Sequence, residues 1–121
     1  MNFSEMLQRA ESGDTEAMRA VAMAYLQGEN AEDNFGKALE WIDRAAELGN
    51  VEAMAEMADV YRKVRKLDQA FEWEEKAANQ GRAQSMYNLS VHYRDGLGVP
   101  KNKEMHRYWY DKAKKNGFPP R

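Results

Sequence analysis

Side chains that could do chemistry are sparse in this 121-residue chain. It has no cysteine, which excludes thiol nucleophiles, disulfides and cysteine-based zinc or iron sites. The two histidines, His92 and His106, stand fourteen residues apart with no HExxH arrangement. Zinc needs three or four converging ligands, so both are expected as surface or partly packed residues and no metal site is predicted. Adjacent acids such as Glu74 and Glu75 splay apart around a helix and do not share a proton or a substrate as a catalytic dyad does. The segment Gly96-Leu97-Gly98-Val99-Pro100 lacks the GxxxxGKS/T spacing of a phosphate loop and reads as a turn between helices. These absences predict neither an enzyme nor a cofactor. A last constellation is Lys101, Lys103, Arg107, Lys112, Lys114 and Lys115 flanking Tyr108, Trp109 and Tyr110. Cations among rings can hold single-stranded nucleic acid, which makes that the alternative reading of function.

Composition favours a soluble folded chain: 43% of residues are hydrophobic and 31% charged. No run approaches the roughly 18 apolar residues of a membrane span, and the first thirty residues lack a basic-then-apolar leader. The expectation is one cytoplasmic domain over residues 1–121. Net charge is −2, but residues 1–60 carry −9 and residues 61–121 carry +7. Ends of opposite sign attract over a Debye length, about 8 Å at physiological salt, so any self-association through them should weaken as salt rises.

The chain repeats itself. Gly13, Gly49, Gly81 and Gly117 are separated by 36, 32 and 36 residues, and Tyr25, Tyr61 and Tyr93 by 36 and 32. Trp41, Trp73 and Trp109 are separated by 32 and 36. A single four-residue deletion between Tyr61 and Trp73 reconciles all three series, and such a deletion belongs in a loop. The resulting units span approximately 13–48, 49–80 and 81–116, after an N-terminal half-unit 1–12.

Each unit reads as two helices. Met18, Val21, Ala22 and Tyr25 fall at i, i+3, i+4 and i+7, the stripe of a helix buried on one side, and Met54, Met57, Ala58, Tyr61 and Met86, Leu89, Ser90, Tyr93 repeat it. The second helix of the first unit is predicted to start near Asn34 as N-cap and to pack Ala38, Trp41, Ala45 and Leu48 before Gly49. Asp14 and Asn50, each following its glycine, are predicted to cap the next helix. Phe3, Met6, Leu7 and Ala10 continue the helical spacing and are expected to cover the exposed end of the first unit.

Unit one carries GDTEAM, AYLQG, KALEWI and RAAELG; unit three carries YRDGLGVPKN and YWYDKAKKNG. In this order of Gly, small residue, aromatic, Gly-rich loop, Lys-Ala, Trp-Tyr and Lys-Ala-Ala, the chain resembles Sel-one-like repeats, an α-solenoid family related to tetratricopeptide repeats. Unit two, YRKVRKLDQAFEWEEKAANQG, lacks the loop insertion, and unit three places His106 and Lys114 where unit one has Ala38 and Ala46. The resemblance implies an all-α, right-handed superhelix of about three helix hairpins plus an N-terminal capping helix. It also implies a scaffold for other proteins without catalytic activity, whose first helices line a concave groove.

On those helices, residues off the packing stripe are the candidate groove. They are Glu16, Arg19, Met23 and Leu26 in unit one, Glu52, Ala55, Asp59 and Arg62 in unit two, and Gln84, Tyr87, Val91 and Arg94 in unit three. Apolar anchors among charges suit a peptide or protein segment. Asn88, beside Tyr87, matches by resemblance an Asn of tetratricopeptide helices that bonds ligand backbone. A bacterial adaptor and a toxin-neutralising protein both fit. Trp109 shares the packing position of Trp41 and Trp73, so its ring is predicted buried, which argues against nucleic acid.

Overall fold

Each repeat is closed by the same joint. At Gly13, Gly49, Gly81 and Gly117 the backbone turns left-handed, with φ of 106°, 98°, 97° and 93°. In every case the amide after the glycine donates to a carbonyl five residues back: Asp14 to Arg9, Asn50 to Ala45, Arg82 to Ala77 and Phe118 to Ala113. These bonds satisfy carbonyls that the helix end leaves open. Asp14 and Asn50 then cap the following helices, accepting from the amides of Ala17 (3.0 Å) and Ala53 (2.9 Å). Each such cap contributes about 1 kcal/mol. At the third joint the N-cap is Arg82, whose side chain makes no capping bond.

The computed structural model describes residues 2–27 and 34–118. Among them are seven helices and no strand: α1 (Phe3–Glu11), α2 (Thr15–Gln27), α3 (Asn34–Glu47), α4 (Val51–Lys63), α5 (Leu67–Asn79), α6 (Ala83–Asp95) and α7 (Lys103–Lys115). No described helix is long and apolar enough to cross a membrane. The glycine of AYLQG lies outside the described residues. Asn34 is the first helical residue of α3 rather than its cap. Two compact units form, Met1–Met57 and Ala58–Arg121, the division falling inside α4.

In the first unit α2 packs against both α1 and α3. Its core is built from Ala10, Met18, Val21, Ala22, Ala38, Ile42, Ala45 and Ala46. Leu48 is a correction to the expected stripe: it is 62% exposed. Lying past the last helical residue, it is carried off the packed face by the turn into Gly49, and Ile42 and Ala46 fill the interior instead. Phe3 of α1 meets Tyr25 edge-on, ring centroids 5.5 Å apart.

In the second unit α6 packs against α5 and α7. Ala78, Met86, Leu89, Trp109 and Ala113 form its centre, with Phe71, Tyr87, Tyr93 and Met105 against it. The small residues at equivalent positions, Ala22, Ala58 and Ser90, are all fully buried, so the helices approach closely there. The basic residue three positions after each tryptophan lies over that ring: Arg44 on Trp41 (4.4 Å), Lys76 on Trp73 (4.3 Å) and Lys112 on Trp109 (5.2 Å). Such contacts contribute about 0.5–1 kcal/mol each, and the position carries a cation in all three repeats.

The deletion in unit two falls in the α4–α5 connection, as the spacing required. It leaves three residues, Val64 to Lys66, and forces Arg65 into the left-handed region at φ 63°. The longer α6–α7 connection is held by His92, a second correction. Its ring is more buried than the surface or partly packed position expected of it, and its Nδ1 lies 2.7 Å from the Leu97 carbonyl oxygen, to which it donates. Burial and the nearby Arg62 charge lower its pKa, while the bond to Leu97 opposes them. Gly98 lies against the start of α5: a Cβ there would stand 2.2 Å from the Leu67 carbonyl oxygen, at φ +73°. Gly98→Ala should therefore destabilise by about 2 kcal/mol from backbone strain alone and displace this connection, measurable by urea unfolding.

Candidate functional site

In the first unit, one face of α2 carries Glu16, Arg19, Met23 and Leu26 in order. Its N-terminal half is closed by charge pairing. Arg19 donates to Glu56 through Nε (2.9 Å) and to Glu16 through Nη1 (2.9 Å), and the Asn50 side chain donates to Glu16 (2.7 Å). The C-terminal half is open: Met23 is 42% and Leu26 46% exposed. Glu52 is exposed, but Ala55 is buried at 6%. Ala55 therefore offers no contact surface, because a methyl group on this helix does not reach past its neighbours.

In the second unit, α4 and α6 bring Arg62, Asn88 and Val91 together. With His92 and Leu97 they line an open hollow of about 190 Å³. Arg62 hydrogen-bonds Asp59 through Nη2 at 2.5 Å and leaves part of its guanidinium exposed. Gln84 and Arg94 are exposed, Arg94 pairing with Asp95 at 3.0 Å and holding its carboxyl below the usual value. Tyr87 is half-buried, tilted against Tyr110 (6.2 Å) and Phe118 (5.4 Å). Its ring is thus largely used in packing, and an alanine there would disturb the fold as well as any contact.

Beneath Arg62 lies a residue the sequence reading passed over. Glu74 is 1% exposed, and neither carboxylate oxygen has a hydrogen bond of good geometry, although the Ser85 and Asn88 side chains lie close enough to stabilise its charge. Its nearest ion-pair partner is Arg62, whose Nη1 is 3.7 Å from Oε2. Loss of water pushes the Glu74 carboxyl above its ordinary pKa. Ser85, Asn88 and Arg62 pull the other way without overcoming it, and Asp59 adds to the rise. Ser85 is itself buried and accepts from Arg82 Nη1 at 3.0 Å.

The Sel1 repeat profile matches this chain three times, over residues 15–50, 51–81 and 83–118. The chain belongs to the Sel1 repeat family. A crystal structure of a Sel1 repeat protein from Oxalobacter formigenes superposes with a TM-score of 0.86 at 30% identity, over 97% of this chain and 92% of that one. The structure of c5321, a protective antigen of uropathogenic Escherichia coli strains displaying the same fold, gives 0.87 at 31% identity. That match covers 97% of this chain but 26% of c5321. No curated protein matches. Sel1 repeats generally act as non-enzymatic scaffolds for protein–protein contact.

The Sel1 register explains how Glu74 was missed and how it could have been found. The residue after each tryptophan is Ile42, Glu74 and Tyr110. Aligning the repeats puts an acid where its siblings place an apolar or aromatic side chain. Comparing Glu74 only with its neighbour Glu75 hid that substitution.

Proposed function

We propose that this Sel1 repeat chain captures a polypeptide segment through the outward faces of its first-type helices. On the first unit the contact is Met23 and Leu26 of α2; on the second it is the hollow of Arg62, Asn88 and Val91, with Arg94 exposed about one turn further along α6. The observation that carries the reading is the convergence of those three residues from two helices into one concavity. Apolar carbon, an amide and a guanidinium side by side are the chemistry of an interface anchor. Met23 and Leu26 are large, apolar and 42% and 46% exposed, side by side on the open half of α2. An adaptor that brings two proteins together and a protein that neutralises a toxin would both use such surfaces.

The α7 surface does not favour nucleic acid. Trp109 is buried at 6%, so its ring is not available for base stacking.

The test is affinity capture from the native lysate with the wild type and with Met23→Glu, Asn88→Ala and Arg94→Glu. Loss of an anchor is expected to weaken capture by about 2 kcal/mol, roughly 30-fold, at unchanged thermal stability for Met23→Glu and Arg94→Glu. Undiminished capture by all three variants discards these faces. Identification of the retained protein separates adaptor from toxin neutraliser.

A further inference from the structure

The hollow on the second unit is lined by a guanidinium, an amide and apolar carbon, and no carboxylate is among its lining residues. His92 is held among them by the Nδ1 hydrogen it gives to Leu97, and burial lowers its pKa although that bond opposes the shift. Such a lining suits an acidic group, which Arg62 and Asn88 can both donate to. Two resident acids already share that guanidinium. Asp59 is exposed, so water can replace Arg62 as its partner. Glu74 is sealed beneath and has no such recourse. A buried carboxylate that loses its only cation relieves the cost by becoming neutral.

The groups facing Glu74 are few. From α4 they are Asp59 and Arg62; from α6 they are Ser85 and Asn88, with Arg82 hydrogen-bonded to Ser85. When an incoming acid draws off the Arg62 charge, no other cation among these faces the Glu74 carboxylate directly.

Building on the scaffold reading of this hollow, we propose that it takes an acidic side chain of the bound segment on Arg62 and Asn88, and that Glu74 takes up one proton from solvent as it does. Capture is then linked to pH: affinity for the acid rises as pH falls through the range in which Glu74 titrates. A glutamine at position 74 mimics the neutral state permanently.

The experiment uses two capped tripeptides, acetyl-Leu-Asp-Leu-amide and acetyl-Leu-Asn-Leu-amide, titrated into the full chain at about pH 6 and about pH 8, where the peptide acid is ionised throughout. Binding is read from the Asn88 side-chain amide resonance, and the Arg62 Nε–Hε resonance is followed through pH in the free protein. The wild type should bind the Asp peptide about tenfold more tightly at the lower pH. Glu74→Gln should bind it equally at both, near the wild-type low-pH affinity. Arg62→Gln should lose the preference for Asp over Asn; if that variant does not fold, the double variant Glu74→Gln/Arg62→Gln, which leaves no buried charge, replaces it. In the free wild type the Arg62 resonance should shift as Glu74 titrates. Wild-type binding that ignores pH, pH dependence that survives Glu74→Gln, or an unresponsive Arg62 resonance overturns the proton linkage. Equal binding of the two peptides, or none, overturns the acidic subsite, whereas the scaffold reading falls only with the capture variants above.

Discussion

Trp109→Ala lowers the free energy of unfolding by about 3–5 kcal/mol. The indole is 6% exposed at the centre of the second unit, among Ala78, Met86, Leu89 and Ala113, with Met105 and the rings of Phe71, Tyr87 and Tyr93 around it. An alanine removes most of that buried apolar surface and leaves a cavity that closely packed helices do not close. It also removes the ring beneath Lys112. Small domains have only about 5–15 kcal/mol of stability in total, so the loss is a large fraction. The neighbouring residue is the control: Tyr108 is half-exposed, and Tyr108→Ala should change stability by no more than about 0.5–1 kcal/mol. Urea unfolding followed by far-ultraviolet circular dichroism distinguishes the two. Equal effects at both positions would show that Trp109 is not the core residue of its repeat.

Glu74→Ile acts in the opposite direction, raising stability by about 1–4 kcal/mol at neutral pH. Isoleucine is the residue that unit one places at this point, as Ile42, where it is buried. Removing the acid leaves Arg62 without a buried partner, but Arg62 is partly exposed and still hydrogen-bonds Asp59, so little is lost. The gain depends on pH with a definite sign. Burial raises the folded pKa of Glu74, so between its unfolded and folded values the native state holds more proton than the unfolded state. The stability Glu74 contributes is therefore fully present below the ordinary carboxylate range and lost as pH rises through the folded value. The difference between Glu74→Ile and wild type should widen from low to neutral pH. Parallel pH profiles for the two proteins would mean that Glu74 is not desolvated in the fold.

Most of the architecture was written in residue spacing, because each repeat must place the same contacts at the same steps. The glycine joints, the Met and Tyr stripe, the small residues at helix contacts and the short α4–α5 connection all follow from three interlocking series of intervals. What spacing misjudged lies at edges and exceptions. Leu48 obeys helical periodicity, yet it falls where the helix has already ended, and periodicity carries no information about that. Ala55 has the correct offset for an outward face, but a methyl does not reach solvent from a helix packed as closely as α4. Tyr87 occupies a groove offset and also leans on Tyr110 and Phe118, a contact between residues distant in sequence. His92 was read from its type alone, without the Leu97 carbonyl that holds it inside. Glu74 was the most informative residue and the least visible, because its meaning lies in disagreement with Ile42 and Tyr110.

The recurrent joint has one more consequence. Each glycine leaves its helix with the same left-handed step and the same five-residue return bond, so the two ends of a repeat present interchangeable splice points. A segment such as 50–81, duplicated in frame, would meet at each seam the backbone geometry it had left, and the chain can lengthen by whole modules with no new turn to invent.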